Sequence, residues 1–240
     1  MSSKVNSSLN NTRTANTPHQ KIRAIITGVT GMVGEGVLHE CLMHPDVEQV
    51  LVINRKPCGV THPKLIEILH HDFYDLTPIT AQLAPYNACF FCLGVSSAGM
   101  KEADYERVTY QLTMHVAELL SRLNPDMTFC YITGTGTDSS EQGRSMWARV
   151  KGKTENHLLQ LPFKRAFMFR PGYIHPTKGL RNAHRLYSLL SWLYPPLKRL
   201  FPNHLITLRE LGIAMIHTVN TDDERSILEP KDILRLAAGG

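Results

Sequence analysis

Between residues 21 and 170, short continuous apolar runs alternate with stretches in which apolar residues recur at helical spacing. Arg23–Thr27, Val50–Asn54, Leu65–His70, Ala88–Leu93, Thr128–Thr133 and Ala166–Arg170 are of strand length and rich in β-branched or aromatic residues. Between them, Val33, Val37, Leu38, Cys41 and Leu42 mark one helix face. Val108, Leu112, Val116, Leu119, Leu120 and Leu123 mark a second, and Trp147, Val150, Leu158, Leu159 and Leu161 a third. Continuous apolar strands separated by amphipathic helices predict a parallel sheet covered on both faces. The pattern is that of a doubly wound α/β domain, whose ligand crevice lies beyond the C-terminal ends of its strands.

The texture changes on either side of this region. Residues 1–20 are rich in Ser, Asn and Thr and almost free of large apolar side chains, which predicts a disordered tail. That tail is acid-free and Ser-rich but has little amphipathic pattern, so a mitochondrial presequence is the weaker alternative to a cytoplasmic protein. Residues 176–204 gather Tyr187, Trp192, Tyr194 and Phe201 among prolines and glycines. They read as a small helical cap over the crevice; the rival is a helix lying on a membrane surface, since Arg181, Arg185, Lys198 and Arg199 neighbour several leucines. Residues 205–220 read as a helix, Ile227–Leu228 as a short strand and Asp232–Ala238 as a closing helix. The whole of 21–240 is expected to form a single domain.

Composition narrows the function. The chain has 240 residues, 42% hydrophobic, enough for a sizeable core, and no apolar run near the length of a membrane span. Its formal charge is +5, two units of which sit on Lys4 and Arg13 in the tail, so no nucleic-acid footprint is expected. Five scattered cysteines do not make a secreted disulfide framework. Cys89 and Cys92 have CxxC spacing, but residues three apart on a strand point to opposite faces, so both read as core. Twelve histidines include no HExxH and no zinc-type spacing, so no metal is expected. No GxSxG elbow is present.

The sharpest motif is Thr27-Gly28-Val29-Thr30-Gly31-Met32-Val33-Gly34, between the first strand and the first helix. Gly28 allows a tight turn, Gly31 lets a diphosphate approach the backbone, and Gly34 lets the helix pack closely. The diphosphate would rest on the helix N-terminus, at Thr30, Met32 and Val33, where free N–H groups and the dipole favour anions. The second strand ends in Asn54-Arg55-Lys56. NAD-preferring sites usually carry a carboxylate there; Arg55, with Lys56, instead suits a 2′-phosphate, so NADP(H) is favoured over NAD(H). Asp72 and Phe73 follow the third strand, where they would meet adenine or serve as turn residues. Leu93 and Gly94 follow the fourth.

This set of residues, with Cys92-Leu93-Gly94, Lys151-Gly152 and Phe169-Arg170-Pro171-Gly172, resembles the short-chain dehydrogenase/reductase (SDR) superfamily over residues 21–177. Its extended and atypical branch, including NAD(P)-dependent epimerase/dehydratase-like and Tat-interacting-protein-like oxidoreductases, is the nearer likeness. The resemblance implies a Rossmann fold of strand order 3-2-1-4-5-6, open to extension by a seventh strand, and a nicotinamide cofactor. It also implies a Ser/Thr, a Tyr and a Lys that share the proton chemistry while hydride moves. Lys151 matches the Lys, which binds the nicotinamide ribose. The Tyr position holds Trp147, whose indole donates a hydrogen bond but is no usable acid near neutral pH. The Ser/Thr position falls on Thr133 or Thr135. Tyr173, His175, Ser96 and Ser97 lie in loops that would face the nicotinamide end and are the alternative proton sources; Tyr131 reads as packed. An enzyme acting on a small-molecule carbonyl or hydroxyl substrate is expected, and a non-catalytic NADPH-binding redox sensor is the rival. Helix-to-helix homo-oligomers are common in the superfamily.

Overall fold

The computed structural model describes residues 20–177, 179–182, 199 and 205–239. The tail at 1–19 and most of the expected cap at 176–204 lie outside the described residues. Seven parallel strands form one sheet in the order β3-β2-β1-β4-β5-β6-β9. They are β1 (Ile22–Thr27), β2 (Val47–Asn54), β3 (Leu65–Leu69), β4 (Ala88–Phe91), β5 (Thr128–Ile132), β6 (Arg165–Phe169) and β9 (Ile227–Leu228). The six expected strands and the added seventh are all present, most of them within a residue or two of the expected bounds.

Strand side chains alternate between two cores, as the two-residue period requires. Ala24, Ile26, Val50, Val52, Phe90 and Phe167 point to one side. There they meet α1 (Met32–Met43), α6 (Leu208–His217) and α7 (Pro230–Ala237). Ile25, Leu51, Ile53, Phe91, Phe129 and Tyr131 point to the other. That side is covered by α2 (Thr80–Leu83), α4 (Leu112–Leu123) and α5 (Met146–Leu158). Cys89 belongs to the second core while Cys92 packs against the first, so the pair is split across the sheet as its spacing predicts. The five cysteines are unpaired thiols.

Two features depart from the sequence reading. Residues 205–207, expected to begin a helix, form β8 (Leu205–Thr207) and pair in parallel with β7 (Tyr173–His175) as a separate two-stranded sheet. Helix α6 starts only after them, where Thr207 and Glu210 make a reciprocal capping box. The second departure lies ahead of α4: α3 (Glu102–Glu106) runs into it through one π-helical stretch, Arg107–Gln111. Among the described residues no helix is long and apolar enough to cross a membrane.

Candidate cofactor cleft and active site

The glycine turn does what its spacing requires. Gly28 has φ +73°, and a β-carbon there would lie 2.6 Å from the Cys92 carbonyl oxygen, so β1 and β4 can approach closely only with glycine. A β-carbon on Gly34 would strike the Gly28 carbonyl, so this glycine seats α1 on the turn itself rather than on the sheet. Gly31 is different: its β-carbon would meet only the Gly28 oxygen, at 3.4 Å, and otherwise open space. Gly31 is also the N-cap of α1, and no side chain caps that terminus. The helix therefore presents uncapped N–H groups beside a space that a Cβ would narrow, a cradle suited to a diphosphate.

A cleft of about 410 Å³ opens beside this cradle. Gly28, Thr30 and Gly31 form one wall, and Cys92, Leu93, Gly94 and Val95 continue it beyond β4. Arg55 stands at the corner beyond β2. His71, Asp72, Phe73 and Tyr74 follow β3, with Val108 and Leu112 opposite them on the helix. Asp72 accepts the Tyr74 backbone N–H at 2.8 Å, and the Tyr74 hydroxyl donates to the Arg107 carbonyl at 2.7 Å. Phe73 is mostly turned into the core. Asn54 is buried and donates to Glu67 at 2.7 Å, so its amide is engaged below the corner rather than in the cleft. Lys56 is exposed and outside the cleft wall. Met32 and Val33 begin α1 and pack in part against the first core.

The expected catalytic residues collect at the C-terminal ends of β5 and β6. Lys151, on α5, donates to the Ile132 carbonyl at 2.8 Å and lies 5.1 Å from the centre of the buried Tyr131 ring. Burial lowers its pKa to about 8, against a smaller upward pull from Glu155. Trp147 stands one turn earlier on the same helix, its ring edge against the Gly136 turn. The Thr133 hydroxyl lies 2.6 Å from the Glu155 carboxylate and 3.0 Å from the Phe169 carbonyl. Its single proton is thus taken up within the protein. Thr135 is exposed and donates to the Arg170 carbonyl at 3.1 Å. Tyr173 and His175 sit on β7, ring centres 6.4 Å apart, and Ser96 accepts the Ala98 N–H.

Beneath these residues lies a buried ion pair that the sequence reading missed. Glu155 is fully buried, and Arg170 meets its carboxylate through both Nε and Nη2. Arg170 also donates to Ser139 at 2.6 Å and lies 3.5 Å from Glu229. The pair ties α5 to the end of β6 and orients Thr133. Its sequence signal was faint: Arg170 lies in the Phe169–Gly172 motif, and Glu155 is one helical turn beyond Lys151. The cleft residues His71, Tyr74, Val95, Val108 and Leu112 were likewise not singled out as a site.

Sheet order, glycine turn and cleft together define a Rossmann-type protein with the fold of NAD-dependent epimerases/dehydratases and extended SDR enzymes. Solved structures sharing it include "MoeE5 in complex with UDP-glucuronic acid and NAD", 17% identical with a TM-score of 0.65, over 86% of this chain and 75% of that one. Helicobacter pylori ADP-L-glycero-D-manno-heptose-6-epimerase is 13% identical with a TM-score of 0.62, over 95% and 84% of the two chains. No protein-family model matches the sequence. Among curated proteins, "Protein FMP52-1, mitochondrial" of Scheffersomyces stipitis is 26% identical over 165 residues, 66% of this chain and 72% of that protein. "Protein fmp52, mitochondrial" of Aspergillus clavatus is 27% identical over 166 residues, 67% and 68% of the two chains. These mitochondrial relatives overturn the expectation of a cytoplasmic protein. That expectation rested on the lack of a strong targeting pattern in the tail, a weaker signal than the similarity over about two thirds of the chain.

Proposed function

We propose that this chain binds NADP(H) and works as an SDR-type oxidoreductase or epimerase-like enzyme on a small carbonyl or hydroxyl substrate, in a mitochondrial setting. The observation that carries the cofactor choice is the corner of the cleft. β2 ends without a carboxylate directed at a ribose, and Arg55 lines the wall instead. The uncapped start of α1 would hold the diphosphate, Asp72, Leu93, Val108 and Leu112 would border adenine, and Lys151 would hold the nicotinamide ribose. When bound, the dinucleotide supplies or accepts hydride at its nicotinamide ring. The chain's own part is to orient and to move a proton. Thr135 is exposed and would donate to a substrate oxygen by exchanging its bond to the Arg170 carbonyl, while Thr133, its proton engaged by buried Glu155, shapes the strand end. The Trp147 indole can donate a hydrogen bond but does not give up its proton near neutral pH. The proton therefore comes from another group, for which Tyr173 and His175 on β7 are the candidates.

Calorimetric titration with NADPH and NADH tests this reading. Tighter binding of NADPH, lost on Arg55→Ala, supports it. Equal affinity with no effect of Arg55→Ala overturns the 2′-phosphate assignment, and no uptake of either nucleotide overturns the cofactor reading altogether.

A second reading follows from Trp147 alone: a non-catalytic NADPH-binding redox sensor. In that case cofactor occupancy would change a protein contact without turnover.

A further inference from the structure

Arg181 lies far along the chain from β2, yet its guanidinium packs at the loop that follows β2. A β-carbon built on Gly59 would sit 2.7 Å from Arg181 Nη1. Gly59, at φ +68°, is the residue that leaves this space. Four residues earlier in the same loop, Arg55 lines the cleft. The segment that delivers Arg181 is pinned to the cofactor helix. Glu35, in the first turn of α1, accepts the backbone N–H groups of Arg181 and Asn182, each at 2.7 Å.

The neighbouring carboxylates are already engaged by other donors. Glu35 holds these two amides. Glu67 accepts from Asn54 Nδ2 at 2.7 Å and from the Cys58 N–H at 2.8 Å. Among the described residues, Arg55 and Arg181 make no ion pair. Two arginines thus attend the loop after β2, Arg55 on the cleft and Arg181 against Gly59, neither of them ion-paired; Asp72, the carboxylate lining the cleft with Arg55, accepts the Tyr74 N–H. A phosphate monoester offers several acceptor oxygens at near-double charge, and planar guanidinium forks match that geometry.

We propose that Arg181 is the second arm of a clamp for the 2′-phosphate of NADPH, acting together with Arg55. This deepens, and rests on, the NADP(H) reading above. Arg55 comes from the loop of β2 and Arg181 from the returning chain, so cofactor choice depends on a segment remote in sequence from the glycine turn. Glu35 is the positioning residue: it contacts no phosphate and acts by holding the backbone that carries Arg181.

Titrating the full chain with NADPH and with NADH tests the clamp. Arg181→Ala should weaken NADPH about tenfold, the equivalent of one charge-assisted hydrogen bond, and leave NADH unchanged. Arg181→Lys should recover part of the loss, since an ammonium restores the charge without the fork. Glu35→Gln should move NADPH affinity in the same direction as Arg181→Ala, by a smaller factor. Unchanged NADH binding serves as the check that each variant is folded. If Arg181→Ala keeps the wild-type ratio of the two affinities while Arg55→Ala lowers it, the clamp is overturned and the NADP(H) reading stands. If the wild-type protein binds both nucleotides equally, or neither, both are overturned.

Discussion

Two side chains decide most of the chemistry at the residue scale. Glu155 is a fully buried carboxylate that meets Arg170 and Thr133 directly, with Lys151 attracted to it one helical turn away. Glu155→Gln leaves the Arg170 guanidinium, itself only 12% exposed, without its main counter-charge. A loss of about 3 kcal/mol is expected from breaking one side of such a pair, measured by urea unfolding. Lys151 gives a pH dependence of a stated sign. Its pKa is about 8 in the fold and higher in the unfolded chain, as for a free lysine. Below pH about 8 both states are protonated, and the cost of enclosing the ammonium is fully present. Between about 8 and the free-lysine value the unfolded chain binds more protons, so stability rises with pH. The stability of wild type relative to Lys151→Met should therefore improve across that window and stay flat below it. Neither residue's state was legible in sequence. Glu155 and Arg170 lie on different elements and meet only in the fold, and enclosure of an amine is a property of its neighbours.

At the scale of elements, the six main strands were legible because a strand covered on both faces must be continuously apolar, and Ala88–Phe91 and Val50–Ile53 are. The glycine turn was legible because its chemistry is local. The β7–β8 pair was not: three half-buried residues at Tyr173–His175 carry no periodic signal, and their partner lies at Leu205–Thr207. The π-helical stretch was equally hidden, since one extra residue per turn leaves the apolar spacing of Val108 and Leu112 compatible with an ordinary helix. It borders the cleft, where such insertions often re-aim side chains. Tyr74→Phe removes the hydroxyl that meets Arg107 O in this stretch. A loss of about 1 kcal/mol is expected in urea unfolding. Faster hydrogen exchange at the Leu112 amide, which donates to the same carbonyl, should accompany it.

At the scale of the molecule, the question is whether this fold turns over. Trp147→Tyr would put a phenol one turn from Lys151, whose enclosed amine favours a phenolate nearby. If the remainder of the site is intact, that variant should gain NADPH-dependent reduction of small carbonyl compounds, followed by loss of absorbance of the reduced nicotinamide. Absence of any gain across carbonyl classes would favour the sensor reading. Saturating NADPH should also raise the thermal midpoint, by the usual linkage between ligand binding and folding. This level was the least legible in sequence, because the residue that breaks the family pattern does not announce what replaces it.

The outermost strand of the main sheet is supplied by Ile227 and Leu228, next to Met168 and Phe169. Leu228, Ile233 and Leu236 share one apolar cluster with Ile22 and Ala24 of β1. A ribosome must therefore release the chain through Leu236 before that cluster can close. Until then Phe167 and Phe169 lack their cover, and the growing chain is at its most vulnerable to proteases and to sticking to its copies.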